Sequence, residues 1–334
     1  MQQAERPIGM IAMSRSVAPS VLPEDLLTRL AAAVRLVSAE ATDSFDDPAG
    51  LASLAEVEIL VTGWSCPQLT ERVLDAAPRL RAVVHAAGSI KAHVGPEVFA
   101  RGIAVSSAAD ANAEPVADFT LAALTLAGKR AFGLSKTYAG GQFPSFGQRR
   151  GNDGRVVGVV GASRIGRRVI ARLVAAGYRV LVADPYLDAG QAAEWGAELT
   201  DLDELCGRCD VLTLHAPQLP ETRHLIDERR LAMLPDGAIV INTARGSLVD
   251  THALTRACAT GRIDACLDVT DPEPLPPGHP LFGLPNVWIT PHLAGVQGSE
   301  VRRLGEFAVA EVERFLSGEP LRGAVNASQL PVLA

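Results

Sequence analysis

Residues 156–166 read VVGVVGASRIG, a run of β-branched residues that stops at a glycine and restarts as the head of a helical pattern. A strand that is apolar throughout is buried on both faces, as a central strand of a parallel sheet must be. Gly161 and Gly166 hold the first and third positions of a G-x-G-x-x-G pattern, and Ser163 holds the second. The first position makes a tight turn, the second lets backbone approach a pyrophosphate, and the third lets helix and strand pack closely. Arg164, Ile165 and Gly166 open a helix whose N-terminus supplies amide donors to an anion. Ser163 brings a Cβ to the close-approach point, and its hydroxyl is an alternative donor to a phosphate oxygen. The next strand, RVLVADPY (179–186), ends on Asp184, at the spacing of roughly 20 residues that a dinucleotide site requires. A carboxylate there accepts from ribose hydroxyls and repels a 2′-phosphate, which predicts NAD rather than NADP. A turn or helix-cap role is the alternative for Asp184.

Outward from this turn the same rhythm continues. Strands are predicted at DVLTLHA (210–216), GAIVINT (237–243), DACLDV (264–269) and VWIT (287–290), with helices between them at 163–177, 200–209, 228–234 and 250–261. This is a doubly wound α/β sheet. Upstream, IGMIAM (8–13), VEILVTG (57–63), LRAVVHAAG (80–88) and GIAVSSA (102–108) alternate with helical stretches such as PEDLLTRLAAAV (23–34). They form a second parallel sheet of Rossmann-like or flavodoxin-like type. A helix is expected to start near Pro115 in ANAEPVADFTLAALTLAGKR (111–130). It is apolar nearly all the way round, so it should be buried between domains or subunits. An irregular connection rich in Gly, Phe and Arg follows over 140–154. The final helix, 299–318, is long enough to cross back to the first half. The expected domains are therefore a substrate domain over 1–111, a dinucleotide-binding domain over 112–296, and a returning helix in 297–334. The active-site cleft is expected between the two domains.

Composition narrows the function classes. A net charge of −7, with Arg-Arg pairs scattered at 149–150, 167–168, 229–230 and 302–303, offers no basic surface for nucleic acid or an anionic membrane. No apolar run reaches the ~18 residues of a membrane span, and PIGMIAM (7–13) lacks the features of a secretory signal. Five cysteines suit reduced thiols and a cytoplasmic location. Cys206 and Cys209 form a C-x-x-C pair with no companion motif, so they read as helix residues and no metal site is expected.

Three segments follow late strands, where open α/β sheets bind their ligands: INTARGSLVD (241–250), LDVTDPEPLP (267–276) and ITPHLAG (289–295). Reduction of a 2-keto acid needs a cation that grips the carboxylate and polarises the carbonyl, and an acid that protonates the developing alkoxide. Arg245 offers the planar fork, and His292 titrates near neutrality. A carboxylate beside that histidine, supplied by Glu273, favours its protonated form.

At these residues the chain resembles the D-isomer-specific 2-hydroxyacid dehydrogenase family, over about 83–295. The segments NTARG–LVD, LDV–(x)₃–EP and TPH–AG occur in that family's order, and LHAPQLPETRHLI (214–226) resembles its loop after the fourth strand of the cofactor domain. The resemblance implies Arg245 as the group binding substrate carboxylate and carbonyl, His292 as general acid/base and Glu273 as its partner. It implies Asp268, Thr243 and Ala244 near the nicotinamide, with His215, Pro217 and Thr222 at the cofactor as well. It implies a substrate role for Asn112 and for the loop at Gly88 and Ser89, and a homodimer formed through the cofactor domain.

The chain departs from the family at Ser163, at Asp118-Phe119 in place of Glu-His, and in the loop AAGSIKAHV (86–94). There Ile90 replaces a second glycine and Ala92-His93 replaces Asp-Asn. Those changes bear on which acid is bound. His85 and His93 flank that loop and read as structural rather than catalytic, and Trp64 reads as a core or rim residue. Two other readings keep the fold: an NAD-sensing scaffold, and a dehydrogenase acting on formate or phosphite.

Overall fold

The computed structural model describes residues 6–46 and 48–332, so residues 1–5, 47 and 333–334 of the expected domain spans lie outside the described residues. The chain divides into two compact units, the first running to Asn112 and resuming at Val296, the second spanning Ala113–Gly295.

The first unit is built on β1 (Ile8–Ala12), β2 (Arg35–Leu36), β3 (Ile59–Thr62), β4 (Ala82–His85), β5 (Ala104–Ser107) and β13 (Ala324–Val325), in the order β13-β5-β4-β3-β1-β2. β1 to β5 run parallel and β13 closes one edge antiparallel to β5. Alternate residues supply two apolar layers, as the period of a strand requires. Ile11, Ile59, Val61 and Val84 pack with Leu26, Leu30, Leu304 and Val309 on one face. Met10, Leu60, Val83 and Val105 pack with Leu54, Leu74 and Val98 on the other. The helix Arg302–Leu316 therefore completes the core of this unit.

The second unit carries β6 (Val156–Val160), β7 (Arg179–Ala183), β8 (Ala197–Leu199), β9 (Val211–Leu214), β10 (Ile239–Asn242), β11 (Asp264–Leu267) and β12 (Val287–Ile289), all parallel in the order β12-β11-β10-β9-β6-β7-β8. Leu212 and Val240 face Leu205, Leu231 and Leu254, while Val211 and Ile241 face Leu124, Val169 and Ile170. Helices thus cover both faces, and the strand order reverses between β6 and β9.

One helix starts earlier than the sequence predicts. It runs from Ala109 to Gly128 with Pro115 inside it, not at its head. The start is set upstream: the Ser107 hydroxyl accepts from the Ala109 amide, and the Ala108 carbonyl accepts from Asn112. Proline near the N-terminus removes only one early hydrogen bond. Within the single chain, Leu126 of this helix is 43% exposed. A further helix, Ala131–Ala139, and the short strands β2, β8 and β13 carry too few residues of clear period to be read from sequence.

Candidate active site

The glycine turn after β6 is as tight as its sequence implies. Gly161 holds φ 95°, and a Cβ there would lie 2.7 Å from the backbone nitrogen of Ala216. A Cβ on Gly166 would lie 2.0 Å from the Gly161 carbonyl oxygen, so only glycine lets the helix Arg164–Ala175 start against the turn. Ser163 is absorbed as the N-cap of this helix, its Oγ accepting from the Gly166 amide at 3.2 Å. As an acceptor in that bond the hydroxyl keeps its own proton to donate.

Asp184 follows β7 and folds back on the turn. Its Oδ2 accepts from the Ala162 amide at 2.6 Å and its Oδ1 from the Tyr186 amide at 2.8 Å. Each oxygen keeps a second lone pair, so the carboxylate braces the turn and can still accept from a ribose. Across the strand reversal, His215 follows β9 with its Nε2 2.9 Å from the Thr213 hydroxyl. Its buried Nδ1 has no partner among the described residues, and burial pushes its pKa down to about 3, so the ring is neutral. The glycine cradle and this orphaned nitrogen fit a dinucleotide. Thr222 differs from expectation in one respect: its hydroxyl donates to the Pro217 carbonyl at 2.7 Å and accepts from the Leu219 amide at 2.9 Å. It closes its own loop and does not point a free hydroxyl outward.

Arg245 follows β10 on a loop clamped by Asn242. The Asn242 side chain accepts from the Ala244 amide at 3.1 Å and donates to the Arg245 carbonyl at 2.8 Å. Buried Thr243 meets the Thr120 hydroxyl at 2.9 Å, tying this loop to the helix Ala109–Gly128. A Cβ on Gly246 would fall 2.0 Å from the Thr270 backbone, so glycine is what lets the Arg245 loop touch the loop after β11. The Arg245 guanidinium is largely buried and donates to the Ala244 carbonyl at 2.7 Å. Burial lowers its pKa and the nearby Glu273 carboxylate opposes that shift. An arginine remains charged under either influence.

His292 Nδ1 lies 2.7 Å from Glu273 Oε1. With Nδ1 facing a carboxylate, Nδ1–H donates and Nε2 is the atom left to exchange a proton with substrate. His292 takes a left-handed backbone, φ 54°, which a non-glycine residue holds only under restraint. Asp268 supplies it. The Asp268 carbonyl accepts from the His292 amide at 2.9 Å, and its carboxylate accepts from Leu293 (2.8 Å), Ala294 (2.9 Å) and the Thr290 hydroxyl (2.6 Å). Asp268 is therefore an anchor of the histidine segment, whatever it does near a cofactor.

In the first unit, Gly88 and Asn112 are neighbours, since a Cβ on Gly88 would lie 3.5 Å from Asn112 Nδ2. Asn112 Oδ1 accepts from the Val296 amide at 3.1 Å. Ser89 follows on the same loop. His85 and His93 are both buried and do not present their rings to solvent. Trp64 is half-buried and lines a cavity of about 340 Å³ with Ser16, Ser20 and Gln297. Asp118 pairs with Arg172 at 2.7 Å, and Phe119 stacks on Trp288 at 5.9 Å. The C-x-x-C thiols are buried, which pushes Cys206 up to about 11 and Cys209 higher. Asn242 and Gly246 stand inside the NTARG segment, which assigned them no role from sequence, and Thr120 left no motif of its own.

Comparison with known proteins places these residues among relatives. The family described as D-isomer specific 2-hydroxyacid dehydrogenase, NAD binding domain, matches residues 121–294. A D-3-phosphoglycerate dehydrogenase of Mycobacterium leprae is 36% identical over 313 residues, covering 92% of this chain and 59% of that protein. The chain spans 52% to 59% of the length of five such phosphoglycerate dehydrogenases. A glyoxylate reductase of Thermofilum pendens is 34% identical, covering 79% of this chain and 80% of that one. Among solved structures, the TT0316 protein of Thermus thermophilus superimposes with a TM-score of 0.76 at 30% identity, covering 96% of this chain and 100% of that one.

Proposed function

The chain belongs to the D-isomer specific 2-hydroxyacid dehydrogenase family, and from that membership we propose that it transfers a hydride between NAD and C2 of a small 2-hydroxy or 2-keto acid. The observation that carries the proposal is the 2.7 Å Glu273–His292 hydrogen bond beside the part-buried Arg245. Glyoxylate- and hydroxypyruvate-like acids are the first candidates, given relatives named as glyoxylate reductases.

Gly161, Ser163, Arg164, Ile165 and Gly166 would hold the pyrophosphate, Asp184 the ribose, and Thr243, Ala244 and His215 the remainder of the dinucleotide. The nicotinamide supplies the hydride, or takes it up in the reverse direction. Arg245 binds the acid's carboxylate and polarises the C2 carbonyl, so its charge is used most as oxygen becomes an alkoxide. His292 Nε2 delivers the proton to that oxygen, and Glu273 orients the ring and stabilises the imidazolium. Asp268 fixes the backbone that aims it. In the first unit, the amides of Gly88 and Ser89 bind the carboxylate, with Asn112 beside them.

Steady-state assays of NADH oxidation with glyoxylate, hydroxypyruvate, pyruvate and longer 2-keto acids test this reading. Turnover of none of them, or oxidation of formate or phosphite instead, overturns it. We also propose a cytoplasmic homodimer. Five unpaired cysteines support the compartment. Exposed Leu126, Tyr138, Phe143 and Phe146 of the second unit support self-association. Light scattering of the purified protein decides the oligomeric state.

A further inference from the structure

Two buried histidines of the first unit take no part in the chemistry above, yet they share one hydroxyl. Thr62, at the end of β3, places its Oγ1 2.9 Å from His85 Nδ1 and 3.3 Å from His93 Nε2. The two rings lie 4.4 Å apart, and all three side chains are buried. Burial pushes His85 down to about 3 and His93 to about 4, so both rings are neutral at working pH. A hydroxyl has one proton to give and lone pairs to accept with, so Thr62 can donate to one of the two ring nitrogens while accepting from the other.

The loop between the histidines is held from a second side. Ser107 Oγ lies 3.2 Å from the Ala87 carbonyl and 2.6 Å from the Gly88 carbonyl. In a trans peptide the N–H points opposite to the C=O. Carbonyls of Ala87 and Gly88 drawn toward Ser107 therefore turn the amides of Gly88 and Ser89 away from it, and those amides have no acceptor among the described residues. Successive amides turned outward in this way make an anion-binding concavity.

We propose that His85 and His93 are positioning residues. Joined through Thr62, they brace the 86–93 loop so that the Gly88 and Ser89 amides stay aimed at the carboxylate of the acid. The inference rests on the carboxylate role given to those amides above. Because the rings are neutral, they brace the loop without adding charge to it.

The test titrates oxamate, an unreactive 2-keto-acid analogue, into the NADH-loaded protein while the amide resonances of Gly88 and Ser89 are followed by NMR. Thr62→Val keeps the shape and removes the shared hydroxyl, and Thr62→Ser restores it. His93→Leu and His93→Gln repeat the comparison from the histidine side of the Thr62 contact. Both amides should shift in wild type. Thr62→Val and His93→Leu should raise the oxamate Kd and the keto-acid KM about ten-fold, with kcat and the KM for NADH changed less than about three-fold. The Ser and Gln variants should recover most of the loss. Amides that do not shift, a Kd unmoved in Thr62→Val and His93→Leu, or losses shared equally by KM, kcat and NADH overturn the inference. Wild type that binds oxamate at these amides but reduces no 2-keto acid would sink the proposed function and leave the positioning role standing.

Discussion

His292 Nδ1 is 2.7 Å from Glu273 Oε1, and the histidine reaches that carboxylate from a backbone held at φ 54°. The pair joins the loop after β11 to the loop after β12. Removing the ring removes the proton donor, so His292→Ala should lower kcat by about 10²–10⁴-fold, the usual range for losing a general acid/base. NADH affinity measured by fluorescence should be nearly unchanged. A kcat within a factor of two of wild type would remove His292 from the chemistry.

Glu273→Gln keeps an acceptor for Nδ1–H but loses the charge assistance, which roughly halves the strength of the bond. The expected cost is about 1–2 kcal/mol in the transition state, or roughly 10-fold in kcat. The same substitution placed on His292→Ala should cost nothing further, because the two side chains act as one unit. Additive losses in that double-mutant cycle would show that Glu273 acts on something other than the histidine.

Arg245→Lys retains the charge and loses the fork. An ammonium cannot grip carboxylate and carbonyl together, and the shorter reach leaves one of them without its donor. KM should rise and kcat fall, together costing about 2–3 kcal/mol, on the order of 10²-fold in kcat/KM. Kinetics equal to wild type would mean that another group anchors the acid.

Asp184 braces the glycine turn through two backbone amides and carries the charge that would meet a 2′-phosphate. Asp184→Asn keeps most of its shape. Like charges ~4 Å apart near a protein surface repel by about 4 kcal/mol, so the preference for NAD over NADP should narrow by at least about ten-fold. An unchanged ratio of kcat/KM for the two dinucleotides would show that a different residue reads the ribose.

Buried neutral histidines make stability fall in acid. Burial depresses His85 and His215 to about 3 and His93 to about 4, against 6.5 for the exposed ring. Above pH 6.5 both folded and unfolded chains hold these rings neutral, and there is no effect. As pH falls below that value the unfolded chain takes up protons that the native chain refuses. Stability is then lost at about 1.4 kcal/mol per pH unit for each histidine, until the folded values are reached. Urea midpoints measured from pH 7.5 down to pH 5 should drop, and His93→Gln should drop less steeply than wild type. Parallel slopes for the two proteins would show that His93 is not the group taking up protons.

Local sequence was enough to establish the two parallel sheets, because a strand buried on both faces is a short apolar run whatever surrounds it. It was also enough to nominate Gly161, Gly166, Arg245, Glu273 and His292. A turn that admits only glycine, and a fork or an imidazole after a strand, are properties of residue type and position. The edges were not legible: β2 and β13 have two residues each, too few to show a period. What only the tertiary structure decided is how the nominated groups are held. Thr62 meets His85 and His93 because β3 lies beside β4 in the sheet. Asp268 anchors the His292 segment because β11 lies beside β12, and Gly246 is required because the Thr270 backbone comes to rest where its Cβ would be. Each of these contacts joins residues more than twenty positions apart. Strand order and register bring them within hydrogen-bond or van der Waals range, and neither is written in the period or composition of any single segment.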